Sequence, residues 1–352
     1  MDVIAHLKEL TSAPGLSGYE APVRETIRAA WAPLTTEIHV DRLGSLWATK
    51  AGTAKAPRPK IMLAAHMDSI GLMVTQVAGE FLRVTQVGGI DARVMPGQLV
   101  TVHGKEDLPG LVAQPAAFLL PKANREGVVP LGELVVDVGL PAERVAALVR
   151  VGDVISFAAP PRELQGDMLV ARYCDNRASV AALTVCLETL QTRPHAWDVI
   201  AVATVQEEVG VKGALTSAFA LNPALAIAVD VAFGSGANVK DSPDRTFALG
   251  GGPVIAFGPN MHPGLSAALK AAADRAEITH TTESLASHSG TDAFGIQIAR
   301  AGIPTACLGI PLRNMHTPVE QLSAKDVART GRLIAEFIAG LKEDFVSTLT
   351  LE

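Results

Sequence analysis

Acidic and imidazole side chains recur in this sequence after apolar runs that are typical of buried strands. The residues with this placement are His66, Glu207, Glu208, Asp230 and His316. Asp175 stands instead just ahead of an apolar pattern with helical spacing. In a parallel or mixed α/β sheet, ligands bind in the crevice outside the carboxyl ends of the strands. Residues gathered at that edge would form one pocket rich in nitrogen and oxygen ligands, which predicts a metal site.

His66 and Asp68 belong to the segment AHMD. Side chains two positions apart on an extended segment point to the same face. The Asp68 carboxylate could therefore accept a hydrogen bond from the imidazole nitrogen that does not bind metal, which fixes the tautomer and the ring orientation. The alternative is an ordinary histidine at a strand end, satisfied by backbone groups.

Glu207 and Glu208 follow the buried run VIAVATV directly. Two adjacent carboxylates at such a position are costly to bury unless a cation or solvent meets them. Because successive side chains of an extended segment point in opposite directions, the two can do different work. One could bind metal while the other acts as the general base toward a water molecule. The alternative is an exposed strand end leading into a loop.

The remaining candidates are ambiguous when each is taken alone. Asp175, in CDNR, could cap the following helix or bridge two cations with its two oxygens. Arg177 is interpreted as a solvated side chain in the first helical turn, and the alternative is an ion pair that steadies the loop. Asp230 and His316 could be ordinary turn and loop residues. The turn SHSGTDA, with His288 and Asp292, could border the pocket.

The ligand types restrict the metal and the kind of site. No cysteine is among the candidate ligands, so the donors are imidazole nitrogen and carboxylate oxygen, and zinc, cobalt and manganese are all plausible. The sequence contains no HExxH segment. The arrangement of two histidines and a glutamate on one helix is therefore excluded.

Both helices and strands must position these residues. Two amphipathic helices are expected first, followed by strands at 36–41, 45–49 and 60–65. Short β-type runs separated by Gly, Pro and acidic turns fill 69–162 and predict a small barrel or sandwich, with one helix at 142–149. Longer helices at 176–190, 263–276 and 324–341 then alternate with buried strands. We predict an α/β catalytic domain formed by 1–68 and 163–352, interrupted by an inserted β-rich domain at 69–162.

Composition excludes several classes of protein. The 352 residues carry a net charge of −6 without a Lys/Arg cluster, which argues against nucleic acid as a partner. No apolar stretch reaches the roughly 18 residues that span a bilayer, and the N-terminal segment lacks a secretory hydrophobic region. The 3 cysteines lie in apolar patterns and are too few for a disulfide framework. We expect a cytoplasmic enzyme.

The candidate segments closely resemble, in order, those of the M42 family of dinuclear metalloaminopeptidases. The family includes TET-type peptidases and proteins labelled cellulase M or endoglucanase. The segments that carry the resemblance are AHMD, CDNR, QEEVGVKGA, AVD, SGTDA, GIP and PLRNMHTPVE. They span almost the whole chain. The resemblance implies a mixed-sheet, zinc-peptidase-like catalytic domain with an inserted β-barrel-like domain.

The resemblance also implies a role for each residue. His66, Asp175 and Asp230 would hold one divalent ion, and Asp175, Glu208 and His316 would hold a second. Glu207 would be the general base, and Asp68 would orient His66. A cis peptide bond between Asp175 and Asn176 is a further expectation from the family. Zinc or cobalt would occupy the two sites, with manganese possible.

Substrates and assembly are expected from the same resemblance. The chain would remove N-terminal residues from short peptides. The β domain would form dimers, and the dimers would assemble into a hollow dodecamer. Asn314 stands where an aromatic residue is expected, and 232–249 lacks the threonine- and glycine-rich form of the relatives. Both differences concern the substrate pocket, so the sequence does not determine which N-terminal side chain of the substrate is preferred.

Other functions remain open from the residues. A metal-dependent amidohydrolase or deacylase of N-acyl amino acids could use the same ligands. A glycosidase would use paired carboxylates, although adjacent Glu207 and Glu208 cannot readily flank a sugar bond from both sides. A catalytically silent peptide-binding scaffold is the alternative from a different class.

Overall fold

The fold was analysed in a computed structural model, which describes residues 1–119, 122, 127–237 and 245–351. Part of the segment 232–249 therefore lies outside the described residues. Within them, none of the helices combines the length and the hydrophobicity needed to span a lipid bilayer.

The described chain contains both helices and strands. The helices are α1 (Val3–Ser12), α2 (Ala21–Trp31), α3 (Ala142–Leu148), α4 (Cys174–Thr189), α5 (Lys212–Leu221), α6 (Pro263–Arg275), α7 (Asp292–Gln297) and α8 (Ala324–Ala339). The strands are β1 (Glu37–Val40), β2 (Leu46–Lys50), β3 (Lys60–His66), β4 (Gly71–Ala78), β5 (Phe81–Val87), β6 (Leu99–His103), β7 (Asp107–Ala113), β8 (Val135–Asp137), β9 (Val154–Phe157), β10 (Arg162–Glu163), β11 (Met168–Ala171), β12 (Asp198–Thr204), β13 (Leu225–Phe233), β14 (Val254–Phe257), β15 (Thr281–Ser284), β16 (Thr305–Arg313) and β17 (Glu320–Ser323).

A large mixed sheet forms the centre of the molecule. Its 11 strands include the path β1-β2-β12-β3-β13-β16-β17-β11-β10, with β14 pairing with β16 and β15. The four central strands β12, β3, β13 and β16 are parallel, and their carboxyl ends lie at the same edge. Their continuous apolar sequences fit strands that are covered on both faces.

Helices cover both faces of this sheet, as the alternating side chains of β3 demonstrate. Ile61, Leu63 and Ala65 join a core cluster with residues of α1, α2, α4, α6 and α8. Met62 and Ala64 join a smaller cluster on the opposite face with residues of α5 and α7. The predicted α/β class with a mixed sheet is confirmed.

The segment between β3 and β10 contains a closed barrel of six strands in the order β4-β5-β8-β7-β6-β9. The barrel has its own apolar core. The predicted barrel-like insertion is therefore confirmed as a fold, while the boundaries at 69 and 162 stay a prediction. Tyr173 joins the barrel core although it lies just before α4, and its hydroxyl accepts a hydrogen bond from the backbone N–H of Phe157 at 3.0 Å.

Candidate active site

The predicted ligands meet at the carboxyl edge of the central strands. His66 ends β3, Asp230 lies in β13, Glu207 and Glu208 follow β12, and His316 follows β16. Asp175 reaches the same place from the start of α4. All six line one cavity of about 520 Å³. Residues separated by 250 positions of sequence therefore share one pocket.

Three of these side chains form a first group of candidate ligands. One ligand atom each from His66, Asp175 and Asp230 lies within 4.8 Å of the others. The His66 Nε2 atom is 3.2 Å from Asp175 Oδ1 and 3.9 Å from Asp230 Oδ1. All three side chains are buried. Spacings of this kind leave room for a cation between the donor atoms.

A second group shares one member with the first. Asp175, Glu208 and His316 also bring ligand atoms within 4.8 Å of one another. The His316 Nε2 atom is 3.3 Å from Asp175 Oδ2 and 3.6 Å from Glu208 Oε2. Asp175 thus directs one carboxylate oxygen into each group. This placement matches a carboxylate that bridges two cations and does not match a helix cap.

The backbone around Asp175 departs from the helix that follows it. Asp175 has φ −78° and ψ 104°, and the peptide bond to Asn176 is cis, as the family resemblance implies. The Asn176 Nδ2 atom donates to the carbonyl of Val229 at 2.8 Å, which joins this turn to β13.

Glu207 and Glu208 point to different parts of the cavity. The Glu207 Oε2 atom is 3.8 Å from His66 Nε2, beside the first group, whereas Glu208 faces His316 in the second. The predicted divergence of these adjacent side chains is therefore present. Glu207 can reach a water molecule at the first group without belonging to either group of candidate ligands.

Burial and crowding shift the pKa values of these carboxyls. Burial, reinforced by neighbouring carboxylates, raises the pKa of Glu207 to about 9, of Glu208 to about 10 and of Asp230 to about 8. Burial also opposes ionisation of Asp175, but hydrogen bonds from His316 and His66 outweigh it and lower the pKa of Asp175.

The neighbouring carboxylates also raise the pKa of the His66 imidazole, because they stabilise its charged form. Burial alone would lower the pKa of His66, but the surrounding carboxylates raise it well above its usual value. So many acidic groups cannot ionise together in a buried pocket without added positive charge. The donor set therefore fits divalent cations, and its oxygen and nitrogen atoms suit zinc, cobalt or manganese.

Asp68 is fully buried behind this cluster and contacts more than His66. The His66 Nδ1 atom is 3.2 Å from the Asp68 carbonyl oxygen, to which it can donate, and 3.5 Å from Asp68 Oδ1. That hydrogen bond leaves Nε2 free to face the first group. The Asp68 carboxylate also accepts the backbone N–H groups of Glu207 at 3.0 Å and Glu208 at 3.2 Å. The sequence predicted a hydrogen bond from His66 to the Asp68 carboxylate, whereas in the structure the nearer acceptor is the Asp68 backbone carbonyl. The contacts with the two glutamates were not predicted.

Glu320 is a site residue that the sequence analysis did not single out. This buried carboxylate accepts the backbone N–H of Asp175 at 3.0 Å and that of His316 at 2.9 Å. It thereby joins two of the three segments that carry the second group of ligands. Its only signal in the sequence is its place at the end of PLRNMHTPVE, because no local pattern reveals a contact across 145 positions.

The interpretation of Arg177 as a solvated side chain is wrong. Arg177 is 0% exposed, and its Nη1 donates to the carbonyls of Leu10, at 2.7 Å, and Ala13. Its guanidinium lies over the Tyr173 ring, 4.8 Å from the ring centre. The end of α1 leaves carbonyl groups without helical partners, and the guanidinium satisfies them.

The turn SHSGTDA does border the cavity, through Ser289, Gly290 and Thr291. Asp292 is buried behind it and accepts a hydrogen bond from Thr204 Oγ1 at 2.6 Å. His288 does not line the cavity and packs against the Phe294 ring. Asn314 has φ 57°, a conformation that asparagine tolerates well, and its Nδ2 donates to the Val319 carbonyl.

Comparison with known proteins identifies the family. The model of a peptidase family described as M42 glutamyl aminopeptidase matches residues 44–333, which is most of the chain. The chain belongs to the M42 peptidase family. It is accordingly a hydrolase, a metal-dependent aminopeptidase. The comparisons do not favour the deacylase or scaffold alternatives, while the descriptions of two similar solved structures include the word endoglucanase.

Relatives of this M42 peptidase cover its whole length. A lysyl aminopeptidase from Pyrococcus furiosus is 34% identical over 344 residues, which cover 96% of each chain. The structure of an aminopeptidase from the archaeon Desulfurococcus kamchatkensis superposes with a TM-score of 0.91 at 30% identity, covering 99% of this chain and 97% of the other. The Pyrococcus horikoshii TET1 peptidase, described as assembling into a tetrahedron or a large octahedral shell, has a TM-score of 0.83 at 30% identity, with 97% of this chain and 100% of the other covered.

Proposed function

We propose that this M42 peptidase removes N-terminal residues from short peptides with two divalent cations, zinc or cobalt, with manganese possible. His66, Asp175 and Asp230 would hold one cation, and Asp175, Glu208 and His316 the other. The observation that carries the proposal is Asp175, whose two oxygens face the two groups separately. Dinuclear hydrolytic sites commonly hold their ions about 3.5–4 Å apart, a separation that one bridging carboxylate can span.

Glu207 is the proposed general base. Bound cations would polarise the carbonyl of the scissile bond and lower the pKa of an attacking water from about 16 toward 7. The Glu207 carboxylate would take the proton from that water and return it to the departing amine. Asp68 would hold the backbone of Glu207 and the ring of His66 in place during both transfers. Burial, which favours the protonated form of Glu207, assists the first transfer, the uptake of the proton from water.

The acidic character of the cavity supports exopeptidase action. A free α-amino group is a cation, and uncommitted carboxylate oxygens beside the first group would bind it. An internal peptide bond offers no such charge, and an N-acylated substrate has lost it. Free N-terminal residues should therefore be hydrolysed in preference to acetylated ones.

The described cavity wall outside the acidic cluster carries no charged side chain. Its side chains include Val231, Phe233, Thr291 and Met315. We therefore propose a preference for neutral N-terminal side chains, such as leucine or methionine, over lysine or glutamate. The segment 238–244, which carries charged residues, lies outside the described part of the chain.

We also propose that the protein is a homo-oligomer in which the segment 69–162 forms the dimer contact and dimers assemble into a dodecamer. Leu99 and Leu111 lie opposite each other on the barrel surface and are 63% and 42% exposed. The TET1 relative is described as forming closed shells. A cytoplasmic location is proposed because all three cysteines are unpaired and buried.

One experiment tests the proposed activity. Metal-free protein is reconstituted separately with zinc, cobalt and manganese and assayed on aminoacyl chromogenic substrates and their N-acetylated counterparts. We expect hydrolysis of the free substrates only, fastest for neutral side chains, and a titration endpoint of two ions per chain. Equal turnover of acetylated substrates would favour a deacylase, and full activity after exhaustive chelation would exclude the proposed metal chemistry.

A further inference from the structure

Ser17 lies in the loop between α1 and α2 and contacts the catalytic machinery from behind. Its side chain is buried, and its hydroxyl donates to Asp68 Oδ2 at 2.5 Å. That oxygen also accepts the backbone N–H of Glu208, while Asp68 Oδ1 faces the N–H of Glu207. Because the hydroxyl fixes one oxygen, it sets the rotation of the carboxylate that holds both glutamates.

Glu20 makes a second contact from the same loop. It is buried, and its Oε1 accepts the backbone N–H groups of Gly18 at 2.6 Å and Gln206 at 3.2 Å. Gln206 immediately precedes Glu207 and has φ 56°, so the backbone turns sharply there. A β-carbon makes this conformation unfavourable for residues other than glycine, and a hydrogen bond to its N–H helps to maintain it.

The loop is itself firmly attached to its surroundings. Ser69 Oγ donates to the Gly15 carbonyl at 3.0 Å, and the Ser17 N–H donates to the Ser69 carbonyl at 3.2 Å. Arg177 binds the carbonyls of Leu10 and Ala13 just before the loop. An anchored loop can hold the groups it contacts, whereas a loose loop could not.

We propose that Ser17 and Glu20 are positioning residues for the reaction. Neither lines the cavity of the candidate ligands. Ser17 acts through Asp68 and Glu20 acts through Gln206, and both fix where the Glu207 carboxylate lies. A displacement of about 1 Å at a reacting group can lower the rate about a hundredfold. The inference depends on the proposed role of Glu207 as the general base.

The first test is Ser17→Ala in the metal-loaded enzyme. The expected result is a fall in kcat of about tenfold, because the base is less well placed, with little change in KM. Calorimetric titration with cobalt should still give two ions per chain. Ser17→Thr keeps the hydroxyl and should recover most of the kcat. Ser12→Ala is the matched control, since the exposed Ser12 hydroxyl donates to the Lys8 carbonyl within α1.

The second test removes the hydrogen-bond acceptor that Glu20 provides. Glu20→Ala removes the acceptor for the Gln206 N–H and should lower kcat about tenfold with KM retained. Glu20→Gln keeps a carbonyl oxygen at that place and should recover most of the loss, which would show that the acceptor and not the charge matters. Glu25→Ala, on the exposed side of α2, is the control.

Glu207→Gln separates this inference from the proposed function. If that variant keeps its activity, the proposed base is wrong, whatever Ser17 and Glu20 do. If Glu207→Gln is inactive while Ser17→Ala and Glu20→Ala have the kcat of the unmodified enzyme, positioning is overturned and the proposed function stands. Positioning is also overturned if Ser17→Thr and Glu20→Gln fail to recover kcat although they bind two cobalt ions and melt like the unmodified enzyme.

Discussion

Asp175 occupies the point where the two groups of candidate ligands meet, and each of its oxygens has a different imidazole as its neighbour. Loss of this side chain would therefore affect both cation sites together, whereas loss of Asp230 or Glu208 would affect one. This difference between Asp175 and the other ligands follows from the positions of its two carboxylate oxygens. The two imidazoles stabilise the charge of Asp175, so its pKa is lowered, whereas burial raises the pKa values of Glu207, Glu208 and Asp230.

Glu207→Gln tests the base directly. The amide has nearly the shape of the carboxylate but cannot accept the proton of the attacking water. We expect kcat to fall by about 10² to 10⁴, the usual contribution of a general base, with two metal ions still bound. Steady-state kinetics and metal titration measure the two quantities. Glu208→Gln is the matched comparison, and it should lower metal affinity instead.

Glu320→Gln tests the carboxylate that holds the backbone of Asp175 and of His316 beside the second group of ligands. The amide nitrogen would face a backbone N–H, so either Asp175 or His316 loses its acceptor. Loss of such outer contacts typically lowers metal affinity about 10- to 100-fold, and we expect a loss in that range. Competition with a chelator measures it. The exposed Glu343→Gln is the control, and unchanged affinity in Glu320→Gln would contradict the role.

The metal-free protein should lose stability as pH rises. Carboxyls ionise near pH 4 in the unfolded chain, but the folded pKa is about 9 for Glu207 and about 8 for Asp230. Between these values the folded state holds more protons than the unfolded state, so the free energy of unfolding falls with increasing pH. The raised pKa of His66 acts in the same direction, and the lowered pKa of Asp175 matters only in acid.

Thermal unfolding of the chelated protein across this pH range provides the measurement. The midpoint temperature of unfolding should fall as the pH is raised from about 5 to about 9. Added cobalt should restore it, because a ligand that binds only the folded state stabilises that state. A midpoint that rises with pH in the chelated protein would contradict the prediction.

At the scale of elements, α4 and α8 pack closely through a glycine. A Cβ on Gly331 would lie 2.4 Å from the Ala182 carbonyl oxygen and 2.6 Å from Val185 Cβ. Gly331→Ala should therefore destabilise the protein by about 1–3 kcal/mol through overpacking. Denaturant unfolding measures the change. Gly340→Ala is the control, since its Cβ would meet nothing closer than 3.5 Å. Equal stabilities of the two variants would refute the steric argument.

The sequence predicted the elements with strong periodicity and missed those set by distant contacts. The long helices α4, α6 and α8 and the apolar strands β3, β12 and β16 were predictable because each has a continuous or periodic apolar pattern. Short strands such as β14 and β17 were not predicted, since each depends on pairing with β16 and has little pattern of its own.

The same division applies to the candidate site. His66 ends a strand, Asp230 lies near the carboxyl end of one and Glu208 follows one, so topology alone predicts that they meet. Ser17, Glu20 and Glu320 contact the cluster only through the tertiary fold, and nothing adjacent in sequence marks them. The burial of Arg177 likewise depends on carbonyl groups of α1, more than 160 positions away.

At the scale of the whole molecule, Leu99 and Leu111 form an exposed apolar pair on the barrel surface that is consistent with a partner contact. Leu99→Asp should place a charge in the proposed dimer contact and yield a smaller species in light scattering, because unpaired charge at a buried interface is strongly unfavourable. Leu164→Asp makes the same change at an exposed leucine outside the barrel and should leave the mass unchanged. An identical mass for both variants would remove Leu99 from the contact.

Tyr173 ties the inserted domain to the chemistry. Its ring is part of the barrel core, while Asp175 stands only two positions later in the chain. Removal of the insertion would expose this ring to water, and the adjoining turn would lose the packing that supports it. The insertion therefore supports the turn that carries Asp175, and we expect its excision to disturb the candidate ligands.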